Sequence, residues 1–451
     1  MARDLALLIP EIAVLLTAVG ALIAEMLRKP RISLAVAVMG LLVATGLTLR
    51  MIGTDTTVFG GSFRIDELSV WAKLILLPAT LLAMLLARVD VGGTAREGTV
   101  YSLLCFATLG ALALAGAGDM MFLVLGTLLT GLATFALVAY PDTDPATEAA
   151  MKFFVFASVT GAIMIFGLSY WFGAAGSTLL TDLPDMDAIP MAVILGFVAV
   201  VVGLGYKASL VPFHFWAPDA YEGGPLSIAA YLSVVPKVGA LFALTQVVRD
   251  LPAGSSWTVV IAGLAVLSMT YGYLAALVQD NVIRLLAYSS IAQSGYFLLG
   301  IVAVGASELA LPSIILFAAA YAAMNLGAFA VAAATGRNLS DFGGLGRSRP
   351  LMGIAMVVFL LSLVGIPPLA GFVGKFLLFA AAIDVQFTWL AVVAIINSVL
   401  SLAVYLRIVV PMYRQGETAT VATLEIWLGI VVLITLATTL ILGLAAQFLY
   451  V

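Results

Sequence analysis

The sequence predicts an all-α polytopic membrane protein, and three observations predict it. Of its 451 residues 63% are hydrophobic and only 10% are charged, whereas a soluble globular chain is about half apolar and about a quarter charged. Apolar runs of about 20 residues, enough to cross a roughly 30 Å hydrocarbon core as a helix, recur from end to end. The runs lack strand alternation, and backbone inside a bilayer must pair internally, which leaves helices as the spanning elements.

Taken in order, the opening stretch MARDLALLIPEIAVLLTAVGALIAEML is a full-length span. It carries Glu11 and Glu25 and lacks a small-x-small cleavage site, so it reads as a retained helix rather than a signal peptide. Polar breaks then divide the chain into about fourteen spans, near 5–27, 32–52, 68–87, 99–116, 119–140, 149–173, 190–218, 226–248, 257–278, 285–305, 311–335, 352–382, 388–410 and 422–449. No stretch is long and polar enough for an extramembrane domain. The net charge of −4 is less informative than where the charges lie. With an outside N-terminus, the inner loops hold Arg28, Lys29, Arg31, Arg88, Arg96, Arg284, Arg337, Arg347, Arg349, Arg407 and Arg414. The outer loops hold only Arg3, Arg50, Arg64 and Arg249. Eleven basic residues against four place both termini on the outer side.

Two of these spans are too long. Residues 190–218 and 352–382 would each make a straight helix of well over ~40 Å at ~1.5 Å per residue. Both contain helix breakers, Pro212 and Pro218 in the first and GIPPLAGF at 365–372 in the second. Interrupted spans in corresponding positions of two halves point to inverted repeats around a site near the midplane. The order of features fits inversion, because Lys207 precedes Pro212 while Lys375 follows Pro367 and Pro368.

Fourteen arginines and six lysines are used differently. Arginines sit almost entirely in loops or at helix ends. Lys29 is in a loop, while Lys73 and Lys152 lie within a turn or two of span ends, where a long side chain can snorkel to the headgroups. Lys207, Lys237 and Lys375 are different. Lys237 is near the centre of PLSIAAYLSVVPKVGALFALTQVV, and the other two adjoin the helix breaks. A charged lysine at mid-bilayer costs roughly 2.5–3.5 kcal/mol on insertion scales. Burial disfavours the charged amine, so a lysine, unlike an arginine, can release its proton near neutral pH, and a row of lysines can pass one along. The bland alternative for each is pairing with backbone carbonyls at a broken helix end. His214, the single histidine, is a candidate relay or a cap for backbone freed after Pro212. Asp219 and Glu222 mark either an entrance or a solvated loop, and Glu148 precedes Lys152 by one helical turn.

One cysteine and one histidine exclude a cysteine-ligated cluster or a bis-histidine haem within this chain. No redox centre, cofactor or metal is therefore expected in it.

The segments KASLVPFHFWAPDAYEGGP, VVPKVGAL, DNVIRLLAYSSIAQSGY, YAAMNLGAFAV and FLLSLVGIPPLAGFVGKF together resemble the antiporter-like subunits of respiratory complex I, the NADH–quinone oxidoreductase. The length, the opening LIPEIAVLL and the segment FRIDELSVW suit the subunit-N branch better than the longer subunit-L branch. The resemblance covers nearly the whole chain. It implies a single integral-membrane domain with three N-terminal helices over 1–90, two inverted five-helix repeats over 99–248 and 257–410, and a C-terminal helix over 422–449. Spans seven and twelve would be the broken helices. It also implies a multi-pass subunit of the bacterial cytoplasmic (inner) membrane that moves H+. Partner subunits, further antiporter-like chains among them, would hold NADH, FMN, iron–sulfur clusters and quinone and pass electrons from NADH to quinone. On this resemblance Lys207, Lys237 and Lys375 match the family's lysines on the first broken helix, span eight and the second broken helix. One position departs. The family's usual span-five glutamate is missing from FLVLGTLLTGLATFALVAY (122–140), where Gly126, Thr127 or Leu128 stands in its place. Asp119 or Glu148 could substitute, the input half of the channel could be wired differently, or the chain could be a divergent subunit. Related readings are an ion-translocating subunit of a membrane-bound hydrogenase, of a ferredoxin-driven complex or of a multisubunit cation/proton antiporter. A stand-alone solute transporter and a purely structural scaffold are the readings from other classes.

Overall fold

The computed structural model describes residues 2–94, 96–186, 190–251, 257–414 and 425–449. The chain opens with α1 (Ala2–Leu7), α2 (Ile9–Met26) and α3 (Pro30–Leu49), followed by a small antiparallel hairpin of β1 (Thr56–Val58) and β2 (Phe63–Ile65). Next come α4 (Glu67–Val91), α5 (Glu97–Ala115), α6 (Met120–Ala139), α7 (Asp144–Ala175), α8 (Pro190–Lys207) and α9 (Trp216–Gly223). The middle of the chain forms α10 (Leu226–Arg249), α11 (Trp257–Ala276), α12 (Val282–Val302) and α13 (Ala310–Thr335). Last are the single turn α14 (Leu345–Ser348), then α15 (Pro350–Val364), α16 (Ala370–Asp384), α17 (Thr388–Tyr413) and α18 (Ile426–Leu449). Among the described residues twelve helices are long and apolar enough to cross a membrane. Two shorter apolar helices, Met191–Lys207 and Pro350–Val364, lead into the breaks.

Both over-long segments are split. The first divides into α8 and α9 around residues 208–215, the second into α15 and α16 around 365–369. Each break contains a cis X–Pro peptide, Val211–Pro212 and Pro367–Pro368. The backbone freed at each break is satisfied differently. At the first, Ser268 of α11 accepts from the Val211 amide at 3.0 Å, and Trp216 Nε1 donates to the Tyr206 carbonyl at 2.7 Å. At the second, Gly365 turns the chain with φ 96°, and the Leu363 carbonyl receives Gln293 Nε2 at 2.9 Å and Lys375 Nζ at 2.8 Å. Unpaired backbone at this depth would cost several kcal/mol per group, so these side chains make the breaks tolerable.

The core is built around α10, every residue of which from Leu226 to Val248 is buried. It packs against α4, α5, α8, α12 and α13. The rim helices turn large apolar side chains outward, among them Leu16, Val43, Phe166, Val399 and Ile441, as lipid contact demands. Polar groups collect at the two ends. At one, Arg249 pairs with Asp66 at 2.6 Å and Arg64 pairs with Asp250. At the other, Arg88 pairs with Glu97, Arg284 with Glu222, and Arg407 with Asp280. The grouping of basic residues read from the sequence is thus seen in space at these positions.

Ahead of α4, Phe63–Ile65 form a strand, and Asp66 caps the helix through a reciprocal bond with Ser69. One feature differs from the sequence expectation. Lys73 does not snorkel. Helix α4 starts at Glu67, which places Lys73 two turns in and fully buried, its Nζ 2.7 Å from Glu11 of α2. Lys152, by contrast, is exposed near the start of α7 and bridges Glu148 and Asp219.

Candidate functional site

Lys207, Lys237 and Lys375 are all buried, at 1%, 0% and 2% exposure. Among the described residues none has a carboxylate within ion-pair distance. Lys237 sits midway along α10, one residue after Pro236. Its Nζ donates to Ser290 Oγ of α12 at 2.6 Å and lies 5.5 Å from the Tyr221 ring of α9. Lys375 stands on the second turn of α16, and its Nζ donates to the Leu363 and Val364 carbonyls at 2.8 and 3.2 Å. It also reaches Ser398 Oγ at 3.4 Å and lies 3.9 Å from the Tyr296 ring centroid. The bland geometry, a lysine on carbonyls at a broken helix end, is therefore present at Lys375. Lys207 ends α8 and finds no hydrogen-bond acceptor among the described residues; instead its Nζ faces Phe135 and Phe153 at 6.0 and 5.9 Å.

Between Lys237 and Lys375 lie two polar groups, Ser290 on the Lys237 side and Ser289, Tyr405 and Gln293 on the Lys375 side, with no hydrogen bond between Ser290 and Ser289 among the described residues. Ser290, on Lys237, is next to Ser289, whose hydroxyl shares a proton with Tyr405 Oη at 2.6 Å. Tyr405 Oη lies 3.4 Å from Gln293 Nε2, which donates to the same Leu363 carbonyl that holds Lys375. Tyr273 Oη approaches Gln293 Nε2 at 3.1 Å, and Tyr296 Oη pairs with Ser398 at 2.9 Å. The serine and tyrosine hydroxyls can donate and accept, whereas Gln293 Nε2 and Lys375 Nζ both donate to the Leu363 carbonyl. Sequence reading passed over Ser289, Ser290, Gln293 and Tyr405. Their signal was there, because polar residues at 289, 290, 293 and 294 recur at helical spacing inside an otherwise apolar span.

His214 lies in the first break, buried at 2% exposure, with its ring 4.7 Å from Tyr271 and 4.5 Å from Phe215. Its Nδ1 has no hydrogen-bond partner among the described residues. Asp219 and Glu222 are neither free nor scattered. Arg284 joins them at 3.0 and 2.6 Å, Lys152 joins Asp219 at 3.1 Å, and with Glu148 they line a cleft of about 310 Å³ beside the break.

The three span-five positions that lack the expected acid have different surroundings. Gly126 is pressed onto α5, where a β-carbon would meet the Gly110 carbonyl at 2.8 Å. Thr127 is half-buried with an unpartnered hydroxyl, and Leu128 points outward. The α6 position beside Lys207 is Gly131, one turn further on, where a β-carbon would stand 3.5 Å from Nζ. Neither proposed substitute reaches this spot. Asp119 caps α6, engaged by the Met121 amide and by Thr178 Oγ1 at 2.6 Å, and Glu148 is exposed and paired to Lys152.

A polytopic helical bundle with two interrupted helices and lysines buried beside both defines the class of antiporter-like membrane subunits. Residues 117–401 match the family model described as NADH:quinone oxidoreductase/Mrp antiporter, TM. NADH-quinone oxidoreductase subunit N of Mycobacterium sp. (strain JLS) is 40% identical over 405 residues, covering 88% of this chain and 86% of the relative. F(420)H(2) dehydrogenase subunit N of Methanosarcina mazei is 35% identical over 98% of this chain and 96% of its own. A chain of respiratory complex I from Thermus thermophilus superposes with a TM-score of 0.86 at 29% identity, over 98% of both chains. The chain belongs to the NADH:quinone oxidoreductase/Mrp antiporter family of membrane proteins, among relatives named subunit N.

Proposed function

We propose that this chain is the subunit-N-type, proton-translocating membrane subunit of an NADH–quinone oxidoreductase, a translocase in which partner subunits carry the redox chemistry. The observation that carries the reading is the row of three buried lysines without carboxylate partners among the described residues, two of them beside the helix breaks and the third midway along the enclosed α10. Lysines without carboxylate partners in a low-dielectric interior are poised to exchange protons, and the polar side chains Ser290, Ser289, Tyr405 and Gln293 lie between Lys237 and Lys375. In this reading Lys207, Lys237 and Lys375 are the proton-carrying residues, and His214 is a relay between the first break and Lys237.

The same reading takes α8–α9 and α15–α16 as spans seven and twelve of fourteen, within inverted repeats over 99–248 and 257–410. The three N-terminal helices over 1–90 and the C-terminal helix over 422–449 complete one integral-membrane domain. The chain would lie in a bacterial cytoplasmic membrane with the Arg284–Asp219–Glu222 end inside and both termini outside. NADH, FMN, iron–sulfur clusters and quinone would bind partner subunits, and further antiporter-like subunits would flank it. Because the family model also covers Mrp antiporters and one relative serves an F(420)H(2) dehydrogenase, the second reading is a homologous ion-translocating subunit with another driving partner.

The test is Lys237→Ala in the assembled complex, measured as protons pumped per electron in inverted membrane vesicles. Pumping should fall sharply while NADH oxidation by the partners persists. Unchanged stoichiometry would remove Lys237 from the path. Co-purification of quinone-module subunits, rather than nickel–iron or antiporter subunits, separates the two readings.

A further inference from the structure

Each buried lysine of the row lies against an aromatic face: Lys237 against Tyr221, Lys375 against Tyr296, Lys207 against Phe135 and Phe153. Lys237 and Lys375 also donate to oxygen acceptors. Lys207 alone has only rings. The two rings meet edge to face at 4.8 Å and 90°, and Gly131 of α6 lies against both partners, where a β-carbon would stand 3.2 Å from Phe135 Cζ and 3.5 Å from Nζ. The pocket is fixed from behind. Phe153 stacks on Trp216 at 4.3 Å and 14°, Trp216 bonds the Tyr206 carbonyl, and Tyr206 Oη bonds the Phe153 carbonyl at 2.6 Å. Phe153 is thereby tied to both sides of the first helix break, and Lys152, next to it in sequence, is joined to Asp219.

We propose that Phe135 and Phe153, beside Gly131, form an aromatic pocket that holds the Lys207 ammonium in the absence of a span-five carboxylate. The ring quadrupoles present negative faces to the cation, an attraction that grows when water is excluded. A carboxylate would fix the proton on Lys207 far more firmly than rings do, so the aromatic pocket positions the ammonium yet leaves its proton free to move on. Phe135 and Phe153 are positioning residues for Lys207. The inference rests on the reading of Lys207 as a proton carrier.

The experiment uses the assembled complex in inverted vesicles, with NADH as donor and protons pumped per electron as readout. Phe135→Leu and Phe153→Leu keep apolar bulk and remove the quadrupole; each should lower pumping about two- to fivefold, the Boltzmann equivalent of an exposed to moderately desolvated cation–π contact. Mono-, di- and trifluorinated phenylalanine at 135 or 153 keeps the shape while weakening the ring face, and should give a graded decline that a structural role would not produce. Adding Gly131→Asp to Phe135→Leu supplies an acid beside Nζ and should restore part of the loss. Should a leucine variant fail to assemble, the near-isosteric fluorinated series decides. If Lys207→Met leaves pumping unchanged, the proton-carrier reading falls. If Lys207→Met stops pumping while fluorination at both rings has no effect, that reading stands and the aromatic pocket is overturned.

Discussion

Lys73 shows how two residues with one chemistry part company. It and Glu11 form a buried ion pair at 2.7 Å outside the lysine row, with Lys73 5.6 Å from the Phe63 ring and neither Glu11 oxygen taking a hydrogen bond. Removing one member of such a pair strands a charge, at a cost of roughly 3–5 kcal/mol, while replacing both by apolar groups is often neutral. Lys73→Met should therefore lower the melting temperature of the detergent-solubilised protein markedly, and Glu11→Leu with Lys73→Met should recover most of the loss. Gly126→Glu would not supply the missing acid, since its β-carbon has no room against Gly110 and Leu114; it should abolish assembly on gel filtration, while Gly131→Asp assembles. At this scale the sequence revealed charges and hid their partners. A lysine inside an apolar run announces itself through its cost, whereas Phe135 and Phe153 are two of 24 phenylalanines and nothing in their spacing singles them out.

Among the elements, the breaks were the most legible feature, because span length and proline both marked them. What holds each break together was not, since part of it comes from other helices, Ser268 at the first break and Gln293 at the second. Gly371 acts within the second broken span itself. It allows α16 to close against α15, where a β-carbon would collide with the Ser362 carbonyl, so Gly371→Val should prevent assembly of a folded chain. Gln293→Leu would leave the Leu363 carbonyl on Lys375 alone and cut the link to Tyr405; the complex should assemble but pump fewer protons per electron. The cap of α4 carries a pH dependence. Burial pushes the Asp66 carboxyl up, but the Ser69 amide, Gln246 and Arg249 outweigh it and hold it below its ordinary 3.8. A depressed folded value means that its stabilisation is complete above the unfolded value and is lost as pH falls through the folded one. The stability advantage of the wild type over Asp66→Asn should be present at neutral pH and vanish in strong acid, read as melting temperatures in detergent.

The whole molecule was legible in outline, because the hydrocarbon core sets span length and the basic residues sort by side. The hairpin at 56–65 escaped notice because three-residue strands carry almost no periodic signal. Orientation can be read directly. Cys105 is buried, so a cysteine introduced at Thr143 or Asp55, both on exposed ends, is the label site for a membrane-impermeant maleimide. Thr143→Cys should label only in inverted vesicles, and Asp55→Cys only in right-side-out ones; the reverse pattern would invert the topology.

The complete enclosure of α10 has a consequence for where the protein can sense its lipid. No residue from Leu226 to Val248 touches the bilayer, so Lys237 is solvated by other helices and never by acyl chains. Changes in bilayer thickness must be absorbed by the outward-facing helices α2, α3, α7, α17 and α18, through tilt or local lipid deformation. Lys237 thus keeps one dielectric surrounding while the membrane around it varies, whereas Lys375 lines a cleft with the outward-facing Ile366, Phe376 and Val399.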